Sequence, residues 1–245
     1  MLRARRVSSP LIHGTAFREH TGLEPVLGAL QQGGVPALAL IEDDLLRYLA
    51  AMGTVDPATL SRPEAVAFWL NLYNAGALKL ATRAFRDGAA SVLRVPGAFD
   101  APVFTIAGER LSLDAVEHGK IRRFGDPRIH AALVCGSVSC PTLRYEPYRG
   151  DQLDAQLDDQ MRRFLAGGGA VLDKDTQTVH LSRVFLWYGG DFTRSDHMPT
   201  WLPARSSNLL RVVRPWLDDS AYWVDSGRAS VRFQRYDWGL RCSVG

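Results

Sequence analysis

Ala67-Phe68-Trp69-Leu70-Asn71-Leu72-Tyr73-Asn74-Ala75-Gly76-Ala77-Leu78 carries apolar residues on almost every face of a helix, which predicts a helix buried all round. Its limits read as about Arg62 to Phe85. Ser61-Arg62-Pro63-Glu64 has capping-box spacing, with proline in the first turn and glutamate three residues after the serine. An enclosed helix needs other elements on every side, so the rest of the chain reads as its wrapping. The two asparagines within it stand out, because a buried amide without partners is costly. Asn71 and Asn74, three apart, share a face. They either tie a neighbouring backbone to the helix or offer donors to a substrate oxyanion.

Working outward, Pro36 to Met52 predicts an early helix ended by Gly53. Residues 1–34 read as a partly irregular N-terminal extension to one domain spanning 35–245. Ser112 predicts an N-cap, with Asp114 near the positive end of the helix dipole, for a helix running through Val116, Glu117, His118, Ile121 and Arg122. Gly119 weakens it. Ile129 to Cys135 reads as a strand covered on both faces. Further on come an amphipathic helix over Asp151 to Leu165, a break at Gly167-Gly168-Gly169 and a strand over Thr178 to Leu181. Ser182 then caps a helix carrying Val184, Phe185, Trp187 and Tyr188. A loop at Arg205 to Asn208, a helix over Asn208 to Leu217 and a strand over Val231 to Tyr236 complete the chain. The class is α+β, a single mainly helical domain around a small β-sheet.

Composition narrows the function. With 245 residues, 46% of them apolar, the chain can close a substantial core, which excludes disorder and collagen. No apolar run approaches the ~18 residues of a membrane span. Twenty-nine basic against 26 acidic residues leave +3, far from the concentrated basic footprint of a nucleic-acid binder. Met1 to Pro10 is charged but lacks the apolar core of a secretion signal, so the expected setting is cytoplasmic. Three cysteines are too few for a disulfide framework. No phosphate-cradling loop, dinucleotide fingerprint or zinc-ligand spacing occurs, so neither cofactor nor metal is expected.

Candidate chemistry gathers in two segments. Glu117 falls on the core face of its helix, four residues from Leu113 and from Ile121, and a core-facing glutamate must be paired or shifted in pKa. His118 is aligned instead with Asp114 and Arg122, as a surface histidine between two charges would be. Cys135-Gly136-Ser137-Val138-Ser139-Cys140-Pro141 places two thiols and two hydroxyls in one turn. Cys135 reads as buried and Cys140 as the accessible thiol, although the pair also admits a disulfide. His130, five residues before Cys135, lies ~16 Å away if the intervening chain is extended at ~3.3 Å per residue. That favours His118 as the base.

Three stretches resemble the DUF547 family, a domain of unknown function. They are Phe68-Trp69-Leu70-Asn71-Leu72-Tyr73-Asn74-Ala75, Ser112-Leu113-Asp114-Ala115-Val116-Glu117-His118-Gly119 and Asp126 to Pro141 with its Cys-Gly-Ser-x-Ser-Cys-Pro element. Leu181 to Tyr188, Asp191-Phe192 and Tyr236-Asp237-Trp238 extend the likeness. Val134 stands where asparagine is common in the family, and Gly239 where serine is. The resemblance implies a shared fold and pocket but no reaction, so the expected function comes from the residues. It is a thiol-dependent hydrolase or acyltransferase, with Cys140 as nucleophile, His118 moving the proton and Glu117 tuning charge. Cys135 and His130 are auxiliary candidates. Asn71, Asn74, Ser137, Ser139 and Arg122 are the candidate binders of an unknown small molecule or peptide. The alternatives are a noncatalytic recognition domain and a dithiol redox protein.

Overall fold

In the computed structural model, which describes residues 7–194 and 204–245, two helices precede the central one. They are α1 (Glu24–Leu40), kinked at Gly33-Gly34, and α2 (Glu42–Gly53). The single early helix expected over Pro36 to Met52 is thus broken at Ile41, and Gly53 is the last helical residue. Glu42, Asp43 and Asp44 explain the restart, since three carboxylates favour the positive end of a new helix dipole. The segment expected as an extension ends in α1, whose Val26, Leu27 and Leu30 enter the core. The charged Met1–Arg6 lies outside the described residues.

The central helix α3 (Arg62–Arg86) is buried at every residue from Glu64 to Leu78, as its all-round apolar pattern predicts. Its capping box does not form. Ser61 is the N-cap but makes no side-chain cap bond, and the Glu64 carboxyl turns inward against Gly150, where an added Cβ would meet it at 2.4 Å. Gly76 admits the ring of Phe104, which an added Cβ would meet at 2.2 Å. That ring belongs to a hairpin the sequence reading did not foresee, β1 (Phe104–Ile106) with β2 (Glu109–Leu111). Next, α4 (Leu113–Gly119) is capped by the Ser112 hydroxyl, which accepts from Ala115 N–H at 3.1 Å. A 3-10 turn over Ile121–Phe124 carries Arg122 beyond Gly119.

The expected strand at Ile129 to Cys135 is a helical turn, α5 (Ile129–Ala132), running into extended chain at Leu133. Asp126 starts it, its carboxylate accepting Arg128 N–H at 2.9 Å, with Pro127 in the turn. A short apolar run covered on both sides is compatible with either structure, and the local Asp-Pro start decides for helix. The remaining elements are α6 (Leu153–Phe164), β3 (Ala170–Asp173), β4 (Thr178–Leu181), α7 (Arg183–Thr193), α8 (Ser206–Val213) and β5 (Ser230–Phe233). Helix α8 begins inside the stretch read as a loop. β4 pairs antiparallel with β3 and parallel with β5. About 54% of the structure is helical, with two small sheets, which is the expected α+β class. No helix among the described residues is long and apolar enough to cross a membrane.

Two apolar clusters form the core, one around α1 to α5 and one around α6, β4, α7 and α8. Asn71 and Asn74 fix the chain at the edge of the first. Asn71 donates to Tyr148 C=O at 2.8 Å and accepts from Tyr148 N–H at 2.9 Å. Asn74 donates to Ala132 C=O at 2.9 Å and accepts from Val134 N–H at 3.1 Å. Asn71→Ala therefore orphans two buried peptide groups, which at about 1–2 kcal/mol each lowers stability by about 2–4 kcal/mol. Thermal melting should fall by roughly 5–15 °C. A loss under about 1 kcal/mol would mean that water replaces the amide.

Candidate functional site

Where the two clusters meet, a cavity of about 300 Å³ opens. Tyr73, Leu133 and Val134 line it from the first cluster, Val184, Trp187, Tyr188 and Tyr236 from the side of the second. Glu117, His130, Cys135, Cys140, Pro141 and Trp238 complete the wall. The helical turn at α5 brings His130 to the same cavity as both cysteines, so the ~16 Å separation inferred from an extended strand does not apply.

Cys135 and Cys140 are joined by a disulfide. Each is part-buried, not sealed as expected for Cys135 or free as expected for Cys140. Gly136 makes the turn between them at φ 78°, a left-handed conformation that disfavours a side chain. The C-terminal segment laces the loop in place: Val138 N–H donates to Gly239 C=O at 2.9 Å, and Arg241 N–H to Gly136 C=O at 3.1 Å. Ser139 serves this lacing. Its hydroxyl accepts from Asp237 N–H at 2.9 Å, and it does not line this cavity. Ser137 faces the sulfurs, lying 3.1 Å from Cys135 Sγ and 3.3 Å from Cys140 Sγ while donating to the Tyr236 hydroxyl at 2.9 Å. Tyr236 Oη is 3.2 Å from Cys135 Sγ and 3.3 Å from Cys140 Sγ. Cys140 Sγ also accepts Cys135 N–H at 2.9 Å.

Beside the sulfurs lies a buried charge network. Arg122, expected to reach a substrate, has no exposed side-chain surface and donates twice to Asp191, from Nε at 2.7 Å and Nη2 at 2.8 Å. It is an internal counter-charge. Asp191 also accepts from His130 Nε2 at 2.9 Å, which leaves Nδ1 as the basic nitrogen of that ring. Burial raises the Asp191 carboxyl, but the hydrogen bonds and charges of His130 and Arg122 bring it down to about 2. Burial holds His130 below its ordinary value despite Asp191 and Glu117, so the ring is neutral near pH 7. It stacks on Tyr188 at 4.0 Å between centroids.

Glu117 is buried as its helix face predicts, and accepts from the Tyr73 hydroxyl at 3.2 Å and from Tyr188. Burial pushes its carboxyl up, but His118, His130, the Tyr188 hydrogen bond and Arg122 together hold it below the ordinary range. His118 is not the surface histidine expected, with only 12% of its side chain exposed. Its Nδ1 accepts from Arg122 Nη1 at 3.2 Å, its Nε2 lies 3.7 Å from Asp114, and it does not line the cavity. Of the two histidines, it is His130 that lines the cavity with the cysteines. Asn71 and Asn74 each hold a backbone carbonyl and a backbone N–H, and neither lines the cavity. Among the described residues no group of three His, Cys, Asp or Glu side chains is set to hold a metal.

Sequence reasoning did not select Asp191, Tyr73, Tyr188, Trp187, Tyr236 or Trp238 for the site. A signal existed for Asp191, a lone carboxylate one helical turn after Tyr188 in an apolar helix, but its partner is 69 residues away. The segment over residues 57–165 matches the model of the family described as Protein of unknown function, DUF547. It holds α3, α4, α5 and both bonded cysteines, whereas Asp191 and the aromatic residues of α7 and the C-terminal segment lie beyond it. No curated protein matches the chain, and no solved structure does.

The buried network predicts an acid limit. Asp191 has a folded pKa below its unfolded value, so its contribution is complete above pH ~4 and is lost as pH falls toward about 2. Asp191→Asn removes the charge partner of a fully buried guanidinium. It should cost about 3–5 kcal/mol at pH 7 and flatten stability between pH ~4 and ~2. Urea titrations of both proteins across that range check it, and an unchanged acid slope in the variant would refute the assignment.

Proposed function

We propose that the Cys135–Cys140 pair is a dithiol–disulfide centre exchanging with a thiol substrate bound in the aromatic cavity. One observation carries this reading: two bonded cysteines wall a cavity with the Tyr236 hydroxyl beside both sulfurs, at 3.2 Å and 3.3 Å, while Cys140 Sγ alone also accepts a backbone donor, Cys135 N–H at 2.9 Å. Such donors stabilise a thiolate and make Cys140 the better leaving group. A substrate thiolate attacks Cys135 Sγ, the S–S bond breaks, and its electron pair leaves on Cys140. A second substrate thiolate then attacks the substrate sulfur of the mixed disulfide and releases Cys135. Two substrate thiols become one disulfide while the protein disulfide becomes two thiols. His130, oriented by Asp191, accepts the proton of the incoming thiol through Nδ1.

The His130–Asp191 pair also favours a second reading, because a base with an orienting carboxylate is what a thiol-dependent hydrolase or acyltransferase needs. There an external dithiol first reduces the bond and becomes a disulfide itself, His130 takes the Cys140 proton as the sulfur attacks a carbonyl carbon, and the same proton goes to the leaving group as its bond to that carbon breaks.

Exchange with a small disulfide separates these readings. Cys140→Ser, presented with oxidised mercaptoethanol, should trap a mixed disulfide at Cys135 visible as an added mass. Cys135→Ser should form its adduct at Cys140, whose stabilised thiolate should keep reacting to lower pH than Cys135 does in Cys140→Ser. A bond that resists excess dithiothreitol in the folded protein would leave only a structural cross-link in a recognition domain. Acylation of Cys140 by an activated ester in the reduced protein, without exchange, would select the hydrolase.

A further inference from the structure

Exchange chemistry needs sulfur and a base, yet the cavity also contains a carboxylate that this chemistry leaves unused. Glu117 lines it with only 8% of its surface exposed, and the neighbouring guanidinium is already engaged by both oxygens of Asp191. Among the described residues, the ion-pair network that holds the cavity-lining Glu117 and His130 joins three carboxylates, Asp114, Glu117 and Asp191, to one guanidinium, Arg122, and to His118. The local field favours a cation.

The walls agree with this preference. Trp187, Tyr236 and Trp238 form one ring cluster, with centroids 4.8 Å, 5.8 Å and 4.6 Å apart in its three pairs. Tyr188 is already engaged by the guanidinium of Arg122 at 5.1 Å and by stacked His130. Trp187 stacks on Trp238 and Tyr236 is tilted against both, so it is the outer faces of this cluster that can attract a cation. Tyr236 joins this rim to the sulfurs, its hydroxyl lying 3.2 Å from Cys135 Sγ.

We infer that the cavity selects an alkylammonium ligand, held between the Glu117 carboxylate and the Trp187, Tyr236 and Trp238 rings, and that the thiol substrate is a short-chain aminothiol. The ammonium would sit at the carboxylate and rings while the sulfur reaches Cys135. An anionic thiol meets the Glu117 charge, and a neutral one gains nothing from it. The aminothiol half rests on the exchange reading; the cation half does not.

Two measurements test it on the intact protein. In the first, tryptophan fluorescence follows binding of choline and of 3,3-dimethyl-1-butanol, its uncharged isostere. Choline should bind at least tenfold more tightly, and equal binding would overturn the inference. In the second, thiocholine, mercaptoethanol and mercaptoacetate open the disulfide, each rate divided by that thiol's rate with a linear disulfide. Thiocholine should lead mercaptoethanol by at least tenfold and mercaptoacetate should trail both. Glu117→Gln should collapse the thiocholine-to-mercaptoethanol ratio, and Trp238→Leu, which keeps the charge, should lower it several-fold. Equal normalised rates for all three thiols would refute the cation preference while leaving exchange standing. Preferential choline binding with no thiol opening the bond would refute exchange while leaving the cation site standing.

Discussion

A guanidinium with no accessible surface must have a counter-charge within reach, and for Arg122 that charge is Asp191 on α7. The two parallel hydrogen bonds join the 3-10 turn after α4 to a helix of the other apolar cluster. Because Asp191 Oδ2 also receives His130 Nε2–H, the contact that aligns the clusters fixes the histidine ring and its tautomer. The cavity lies at the seam this pair holds together. Loss of the pair would alter fold and site together, so an effect on chemistry there is interpretable only beside a measurement of stability.

What the sequence makes legible is local. The buried helix α3 is visible because its pattern admits no solvent face, and the caps at Ser112 and Ser182 because a hydroxyl satisfies an N–H two or three residues away. Glu117 is legible for the same reason: helix geometry alone puts it on the face of Leu113 and Ile121. What stays hidden depends on distant partners. Glu64 has the spacing of a capping box but packs against Gly150, a tertiary competitor that spacing cannot reveal. Four residues of helix at α5 are too short for periodicity to separate from a strand, and that one substitution misplaces His130 relative to both cysteines.

The two histidines show how such an error propagates. An extended chain at Ile129 to Cys135 removes His130 from reach and promotes His118, whereas a helical turn does the reverse. The ring nitrogens of His118 are directed at Arg122 and Asp114 and its ring is outside the cavity wall. Its place is within the network that keeps Glu117 ionised. The asparagines divide similarly: their burial was legible, but which of two uses they served depended on Tyr148, Ala132 and Val134 arriving beside them.

Tyr236 makes the two halves of the site one. Its hydroxyl touches both sulfurs and receives the Ser137 proton, while its ring packs on Trp187 and Trp238. Burial raises the pKa of this phenol, against the pull of the Ser137 hydrogen bond, so it remains a proton donor wherever a thiolate forms beside it. A hydroxyl that accepts from Ser137 and donates to sulfur relays polarity from the loop to the leaving atom, and the same ring borders the apolar rim where a substrate's carbon would lie. The residue sits about a hundred positions from the cysteines and is held beside them by the bonds of Gly136, Val138 and Ser139 to the C-terminal segment. That lacing ties the thiol environment to the chain's end, outside the segment that the family model covers.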